Sequence, residues 1–407
     1  MTRAPVRVAV IDLARPFVDL DCARVGSAPY RSAWILACSG GRPLATVEVP
    51  VEGSRITAAE LTRALAHLGP RGSHEAAVGP PLPLPSATVV VPTAFARPVE
   101  LFRCVERLKA LDHPDYEVIV VDNRAKNARP LALDGVRVVH ELQPGISAAR
   151  NRGLSEAAGE IVAFTDDDVE VDDRWLRAIG ERFAHQPELA AVAGLVVPRE
   201  LETPAQIWFE QSGSGLDRNF APLTFELAPR FRLRRRNMQD GSERLGSLYA
   251  TGELGLGSNM AFRAAVLRAA GGFDEALGVG TPSCGGEDLA IFLELLTAGH
   301  RLGYEPGAMV FHQHRATFDE LARQLRGYGI GFTAMLTAIT LRDPRHLIGL
   351  LAVLPAWLRS LRDPASAKHV HRQADYPRSL ARAELLGMLA GPFAYLASRR
   401  ASGRWSP

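Results

Sequence analysis

With 407 residues, 47% hydrophobic and 23% charged, the chain has the balance of a globular protein with full cores, which excludes a disordered, collagen-like or disulfide-stapled one. Its 47 Lys and Arg nearly cancel its 45 Asp and Glu, so the net +2 gives no overall basic field to attract nucleic acid. The cancellation hides an asymmetry: residues 315–407 hold 14 basic against 6 acidic side chains, a net +8, which leaves −6 on the rest.

The opening MTRAPVRVAVIDLARP is broken by Asp12 and lacks the apolar core of a signal peptide. Residues 1–76 read as a small α/β accessory unit. VRVAVIDL, SAWILAC and ATVEVPV have strand composition, the last two joined through Gly40-Gly41, and Thr57 with Glu60 forms a capping box that opens a helix to about His67. No catalytic constellation occurs there. The proline-rich stretch 77–86 (AVGPPLPLPS) predicts a stiff linker. Cys22, Cys38, Cys104 and Cys284 show no CxxC spacing and fit a reducing compartment.

From 87 to 315 the pattern is strand, helix, strand, helix. ATVVV (87–91), EVIVV (117–121), VRVV (136–139) and IVAFT (161–165) are the strands, with a helix around Val99–Leu108 and another over 144–159. Alternation of this kind calls for a doubly covered, mostly parallel sheet with its ligand at the carboxyl ends of the strands. Those ends are polar: Pro92-Thr93, Asp122-Asn123 and Asp166-Asp167-Asp168. Three neighbouring carboxylates resist joint ionisation, a penalty that a divalent cation removes; hard oxygen donors suit Mg²⁺ or Mn²⁺. An acidic turn capping a helix at 172–183 accounts for the same residues without metal.

These motifs in this order (VVVPT, VIVVDN, GISAARNRG, AFTDDD, GSNMAFR, GGFDE and GGED) resemble family-2-type inverting glycosyltransferases of GT-A fold, over about Ser86 to Arg315. The resemblance implies an αβα fold and a nucleotide-sugar donor, with UDP favoured because Asp122 can accept a hydrogen bond from a uracil-type N–H. It places Pro92, Thr93, Asp122, Asn123 and Arg97 at base and ribose, and Arg150 near the nucleotide. Asp166 and Asp167 fall beside the donor, and Gly257, Ser258 and Asn259 line the sugar pocket. Metal ligands are expected at Asp166, Asp168 and His312, with His314 as the alternative. Asp288, helped by Glu287, is the expected base that deprotonates the acceptor hydroxyl, and Gly271–Asp274 shape the acceptor side. For Arg150 a helix-surface ion pair, and for Glu287 and Asp288 plain helix capping, remain open alternatives.

The implied activity is inverting hexosyl transfer from a nucleotide-sugar to a glycan or lipid-linked acceptor in cell-surface polysaccharide or glycolipid assembly. A non-catalytic glycosyltransferase-like scaffold is the alternative. A sugar-nucleotide pyrophosphorylase is disfavoured because VVVPTAFARP lacks a glycine-rich loop with a nearby basic residue. PRFRLRRRN (229–237) predicts a mobile basic loop for a lipid-linked phosphate or simply a solvated one. In the basic region 316–407, apolar stretches at 329–341, 347–358 and 385–397 predict short helices flanked by arginine. They are too short to span and suited to the inner face of the cell membrane, so the protein is expected to be cytoplasmic and peripheral. Packing on the catalytic domain or on a dimer partner explains the same helices.

Overall fold

A computed structural model describes residues 5–24, 28–68, 82–125, 130–212, 220–250, 254–360, 363, 372–373 and 375–401. Half of the linker stretch, residues 77–81, lies outside them. The first unit contains β1 (Val6–Asp12), β2 (Leu20–Asp21), β3 (Ser32–Ser39), β4 (Arg42–Pro50), β5 (Arg55–Ile56) and α1 (Ala58–Leu65). β1 runs parallel to β3, which turns at Gly40-Gly41 into antiparallel β4. Thr57 and Glu60 form the expected capping box at α1. A separate small core of Ile35, Val49, Ile56 and Leu61 fills this unit. It joins the rest through a bridge between Val6 and Leu201, the Arg24–Glu202 ion pair at 2.6 Å, and a hydrogen bond from Arg174 Nη1 to the Gly40 carbonyl at 2.8 Å.

The large unit continues with β6 (Ala87–Thr93), α2 (Pro98–Leu108), β7 (Tyr116–Asp122), β8 (Arg137–His140), α3 (Ile146–Glu156), β9 (Ile161–Phe164), β10 (Val169–Val171), α4 (Trp175–His185), β11 (Leu189–Pro198) and α5 (Pro204–Gln211). There follow β12 (Leu223–Ala228), β13 (Arg232–Asn237), β14 (Glu243–Ser247), β15 (Met260–Arg263), α6 (Ala264–Ala269), α7 (Glu287–Thr297) and β16 (Arg301–His312). The C-terminal helices are α8 (Phe318–Arg342), α9 (Arg345–Ser360) and α10 (Arg378–Ala401).

One sheet runs in the order β14-β13-β12-β16-β11-β15-β9-β6-β7-β8, with β10 added beside β16. β6, β7, β8 and β9 are mutually parallel. β15 inserts antiparallel between β9 and β11, so β11 and its parallel neighbour β16 return to the direction of β9. The αβα sheet expected from the alternating pattern is therefore present, extended by an antiparallel flank. The carboxyl ends of β6, β7, β9 and β16 consequently open on one edge.

Side chains alternate between the two faces of the sheet. Val89, Val91, Val118 and Val120 pack with α2 and α4, whereas Val90, Ile119 and Val121 pack with α3 and α7. Both faces are covered, which is why these strands are apolar without interruption.

Three boundaries depart from expectation. PRFRLRRRN is not a loop: Arg232–Asn237 is strand β13, paired antiparallel on both sides with β12 and β14, with Arg232, Arg234 and Arg236 on one face of the sheet and Arg235 on the other beside the buried Leu233. The helix expected over 172–183 begins at Trp175, with Asp172 before it. α8 and α10 extend well beyond their apolar stretches; a further capping box, Thr317 with Glu320, starts α8 about three turns early. No helix among the described residues is long and apolar enough to cross a membrane.

α8 is built into the large unit. Ala334, Met335, Ala338 and Ile339 join the core on the α7 face of the sheet. Backbone meets backbone where α8 crosses the loop before α7: a Cβ on Gly331 would lie 2.8 Å from the Gly285 carbonyl carbon. Gly331→Ala is therefore expected to lower stability by about 1–3 kcal/mol, read as a lower denaturation midpoint. Gly246→Ala, with open space at its Cβ position, should leave the midpoint unchanged.

Candidate functional site

The residues singled out at the strand ends converge on the shared edge of the sheet. Asp122, the last residue of β7, is 2% exposed. Arg124 grips it twice, Nε to Oδ1 and Nη2 to Oδ2, both at 2.8 Å, and His140 Nδ1 stands 3.5 Å from Oδ2. Burial opposes ionisation, but the Arg124 hydrogen bonds hold the carboxyl below its ordinary pKa. Arg124 also lies over the Phe95 ring at 4.9 Å. Thr93 donates its hydroxyl to Asp167 Oδ2 at 2.6 Å and accepts the Phe95 N–H at 2.9 Å. Burial pushes Asp167 up to about 6, against the pull of that Thr93 bond.

The three aspartates after β9 face three ways. Asp167 turns to Thr93. Asp168 takes Arg97 Nη1 on Oδ2 at 2.7 Å and Arg315 Nη1 at 3.7 Å, while its Oδ1 stands 3.5 Å from His312 Nε2. Asp166 accepts Arg150 Nη2 at 3.1 Å and is raised above its ordinary pKa by burial, with Arg150 opposing. Like charges thus sit on separate partners rather than against one another.

Arg150 is the hub. Only 1% exposed, it lies on α3 and reaches Asp166, the Gly257 carbonyl at 3.0 Å through Nη2, and Glu287 Oε1 at 2.7 Å through Nη1. Its guanidinium stands 5.7 Å from the centre of the Phe273 ring. The helix-surface alternative for Arg150 is thereby excluded. Gly257 works on both sides: its carbonyl meets Arg150 and its N–H donates to Asp288 Oδ2 at 2.7 Å. A Cβ there would lie 3.0 Å from Arg150 Nη2 and 3.1 Å from Asp288 Oδ2, so only glycine seats both groups without displacement. Glu287 and Asp288 are the first residues of α7. Glu287 is buried and ion-paired; burial, then Asp288, push its pKa up while Arg150 opposes. Asp288 is the half-buried member of the pair.

Two expected pocket residues are spent on the fold. Asn259 is fully buried; its Oδ1 accepts from Trp175 Nε1 at 2.8 Å and its Nδ2 donates to the Leu195 and Ala308 carbonyls. Asn123 donates to the Glu141 and Gln143 carbonyls and accepts the Gly145 N–H, fastening the start of α3. An amide taken wholly or partly out of water, as in Asn259 and Asn123 respectively, must satisfy several hydrogen bonds at once, which commits both side chains to backbone partners. Pro92 and Ser258 are buried beside the site, and Ser258 accepts the Thr165 hydroxyl through its carbonyl.

Among the described residues no group of three or more His, Cys, Asp and Glu side chains is gathered as a metal site. Of the three expected ligands, Asp168 and His312 stand together while Asp166 turns to Arg150. Behind His312, the two Nδ1 atoms of His312 and His314 are 3.2 Å apart, and His314 Nε2 meets Glu210 Oε1 at 2.7 Å. With a neutral His314 donating from Nε2 to the Glu210 carboxylate, its Nδ1 accepts. The contacts from Glu210 through His314 and His312 to Asp168 are continuous, so the proton on His314 Nδ1 or its absence decides which His312 nitrogen carries hydrogen.

Sequence reading missed Arg124, Arg315, Glu210 and Tyr328. Tyr328, on α8, lies within electrostatic reach of Asp288, Asp168 and Asp166, and its hydroxyl accepts from Gln324. Arg124 and Arg315 each follow a recognised motif by one or two residues; Glu210 and Tyr328 carry no sequence signal.

Residues 88–241 match the model of the family described as glycosyl transferase family 2. The pre-mycofactocin glycosyltransferase of Mycobacterium tuberculosis is 30% identical over 253 residues, 60% of this chain and 46% of that protein. The GalNAc(5)-diNAcBac-PP-undecaprenol β-1,3-glucosyltransferase of Campylobacter jejuni is 33% identical over 97 residues, 22% of this chain and 31% of that one. The chain spans less than half the length of both. Among solved structures, the mannosyltransferase PcManGT of Pyrobaculum calidifontis in complex with GDP-Man and Mn²⁺ superposes with a TM-score of 0.40 at 17% identity, covering 85% of this chain and 87% of that one.

Arg150→Met removes the cation facing Glu287 and Asp166. It is expected to cost about 3–5 kcal/mol, because a buried carboxylate is left uncompensated. Urea denaturation measures it, and a loss under about 1 kcal/mol would contradict the hub assignment.

Proposed function

We propose that the chain is a family-2 glycosyltransferase, the family whose model residues 88–241 match, and that it transfers a hexosyl group from a UDP-sugar to a hydroxyl acceptor, with inversion, in cell-surface polysaccharide or glycolipid assembly. One observation carries this reading: an unbroken line of contacts, Asp166–Arg150–Gly257–Asp288, ties the acidic turn at the sheet edge to the one half-buried carboxylate at the start of α7. Such a line holds a leaving-group side and a base side in fixed relation, which a single displacement requires. The names of the relatives support the class, and one of them is a transferase named for a PP-undecaprenol-linked glycan.

Asp122, at the end of β7, accepts the uracil N–H once Arg124 yields one of the two carboxylate oxygens that it holds. The acceptor oxygen attacks the anomeric carbon from the face opposite the nucleotide; its bond to carbon forms as the carbon–oxygen bond to the diphosphate breaks. Asp288 takes the acceptor proton, its Oδ2 already oriented by the Gly257 N–H. Arg97 and Arg315, gathered at Asp168, lie where negative charge grows on the departing diphosphate. Glu287 acts through Arg150 and not on the substrate. The pairing of Asp168 Oδ1 with His312 Nε2 fits a divalent cation, Mn²⁺ better than Mg²⁺ because one donor is imidazole. When bound, that ion supplies neutralising charge to the diphosphate.

Asp288→Asn is expected to lower turnover by about 10²- to 10⁴-fold with donor affinity retained, read as nucleoside diphosphate released from a panel of nucleotide-sugars with acceptor and Mn²⁺. Unchanged turnover would remove Asp288 from the reaction. His314→Leu frees the His312 tautomer and should raise the Mn²⁺ concentration for half-maximal donor binding by about 10- to 100-fold. An unaltered Mn²⁺ requirement would sever His312 from the metal.

A further inference from the structure

α10 is built inside out. Its buried face is Leu380, Glu384, Gly387, Gly391, Tyr395 and Ser398, and its outward face carries Leu385, Leu386, Leu389, Phe393 and Leu396. The glycines explain the inward face, because α8 comes close enough that a Cβ on Gly387 would stand 2.1 Å from the Arg326 carbonyl oxygen. Leu389 and Phe393, at 73% and 75% exposed, lie at the centre of the other face. α9 repeats the design: Leu347, Ile348, Leu351, Leu354 and Leu358 are all exposed, spaced at helical intervals along one side. Contiguous exposed apolar surface of this kind marks an interaction site.

Charge identifies the occupant. Arg378 and Arg382 precede the apolar run of α10 and Arg400 follows it, all exposed, while Arg359 closes that of α9. No acidic residue occurs from Pro344 to Arg362, and the only one after Asp375 is Glu384, which is buried. A second copy of this chain would set arginine against arginine with no carboxylate on these faces to meet it. A surface that is apolar inside and anionic at its rim satisfies both features. Leu385 to Leu396 extends about 16 Å along the helix, about half of a bilayer's apolar thickness, so the helix suits lying in the interface and not crossing it.

We propose that the outward faces of α9 and α10 dock the protein on an anionic lipid surface, with the leucines and Phe393 at the acyl boundary and the arginines at the headgroup phosphates. This rests on no part of the transferase reading, and its test needs no substrate.

The test is flotation of the full chain with vesicles of phosphatidylcholine alone or containing about 30 mol % phosphatidylglycerol. Binding is expected to the anionic vesicles, weakened several-fold by about 0.5 M salt. Leu389→Glu with Phe393→Glu, both on exposed positions, should weaken it by at least about tenfold with an unchanged thermal midpoint. If the double variant lowers that midpoint, Ile348→Glu with Leu351→Glu on α9 makes the same test. Absence of flotation, or equal flotation of folded variant and parent, overturns the proposal. So does a concentration-dependent doubling of mass that the variants abolish without any vesicle binding, which assigns the faces to a second copy.

Discussion

The buried guanidinium of Arg150 is the interaction on which the site depends. Taking a charge out of water is costly unless it is met by opposite charge and by hydrogen bonds, and Arg150 is met by Glu287, Asp166 and the Gly257 carbonyl together. Each partner belongs to a different part of the chain: the turn after β9, the loop before β15 and the first turn of α7. Satisfying the one cation therefore fixes three segments relative to α3. Burial works against its charge, yet Glu287, Asp166 and Asp288 raise its pKa above the ordinary arginine value, so it stays a cation.

Around that hub the sheet does the positioning. Parallel strands and the return of β11 and β16 to the same direction put Thr93, Asp122, the acidic turn and His312 on one edge. The edge gathers acidic groups, but each receives its own cation or donor: Asp122 has Arg124, Asp166 has Arg150, Asp167 has Thr93, and Asp168 has Arg97 and Arg315. The carboxylates are thus kept close without mutual repulsion setting their geometry. Asp288 stands apart from this pairing. It is held by the backbone N–H groups of Gly257 and Leu289 and by no side-chain hydrogen bond from a cation.

The C-terminal helices join two different surfaces. α8 contributes core side chains to the α7 face and meets the loop before α7 backbone to backbone through Gly331 and Gly285, so its position is tied to the site. α10 attaches to α8 through close glycine contacts and, near its start, through Leu380, which packs with Leu321 and Leu325. Its other leucines are therefore left pointing outward, and these exposed apolar faces are carried by helices anchored one step away from the edge of the sheet where the acidic groups gather.

Much was legible in the sequence because it is locally encoded. Uninterrupted β-branched runs marked β6, β7 and β9, the Thr57–Glu60 box marked α1, and the polar residues at strand ends marked the edge where the site lies. The GGED stretch likewise marked the first turn of α7. Other features needed the folded chain. Arg150 finds its partners 16, 107 and 137 positions away, and no local pattern states which of several acidic residues it meets. Asn123 and Asn259 stand in site-like motifs, yet backbone carbonyls from distant strands claim their amides. The arginine-rich stretch at 229–237 reads as a loop until β12 and β14 pair with it on both sides. Periodicity determined that α9 and α10 have apolar faces, but the close approach of α8 decided which face of α10 is covered. Sequence fixes the preferences of each segment; only packing between segments decides which groups are buried together, because burial and pairing depend on neighbours far along the chain.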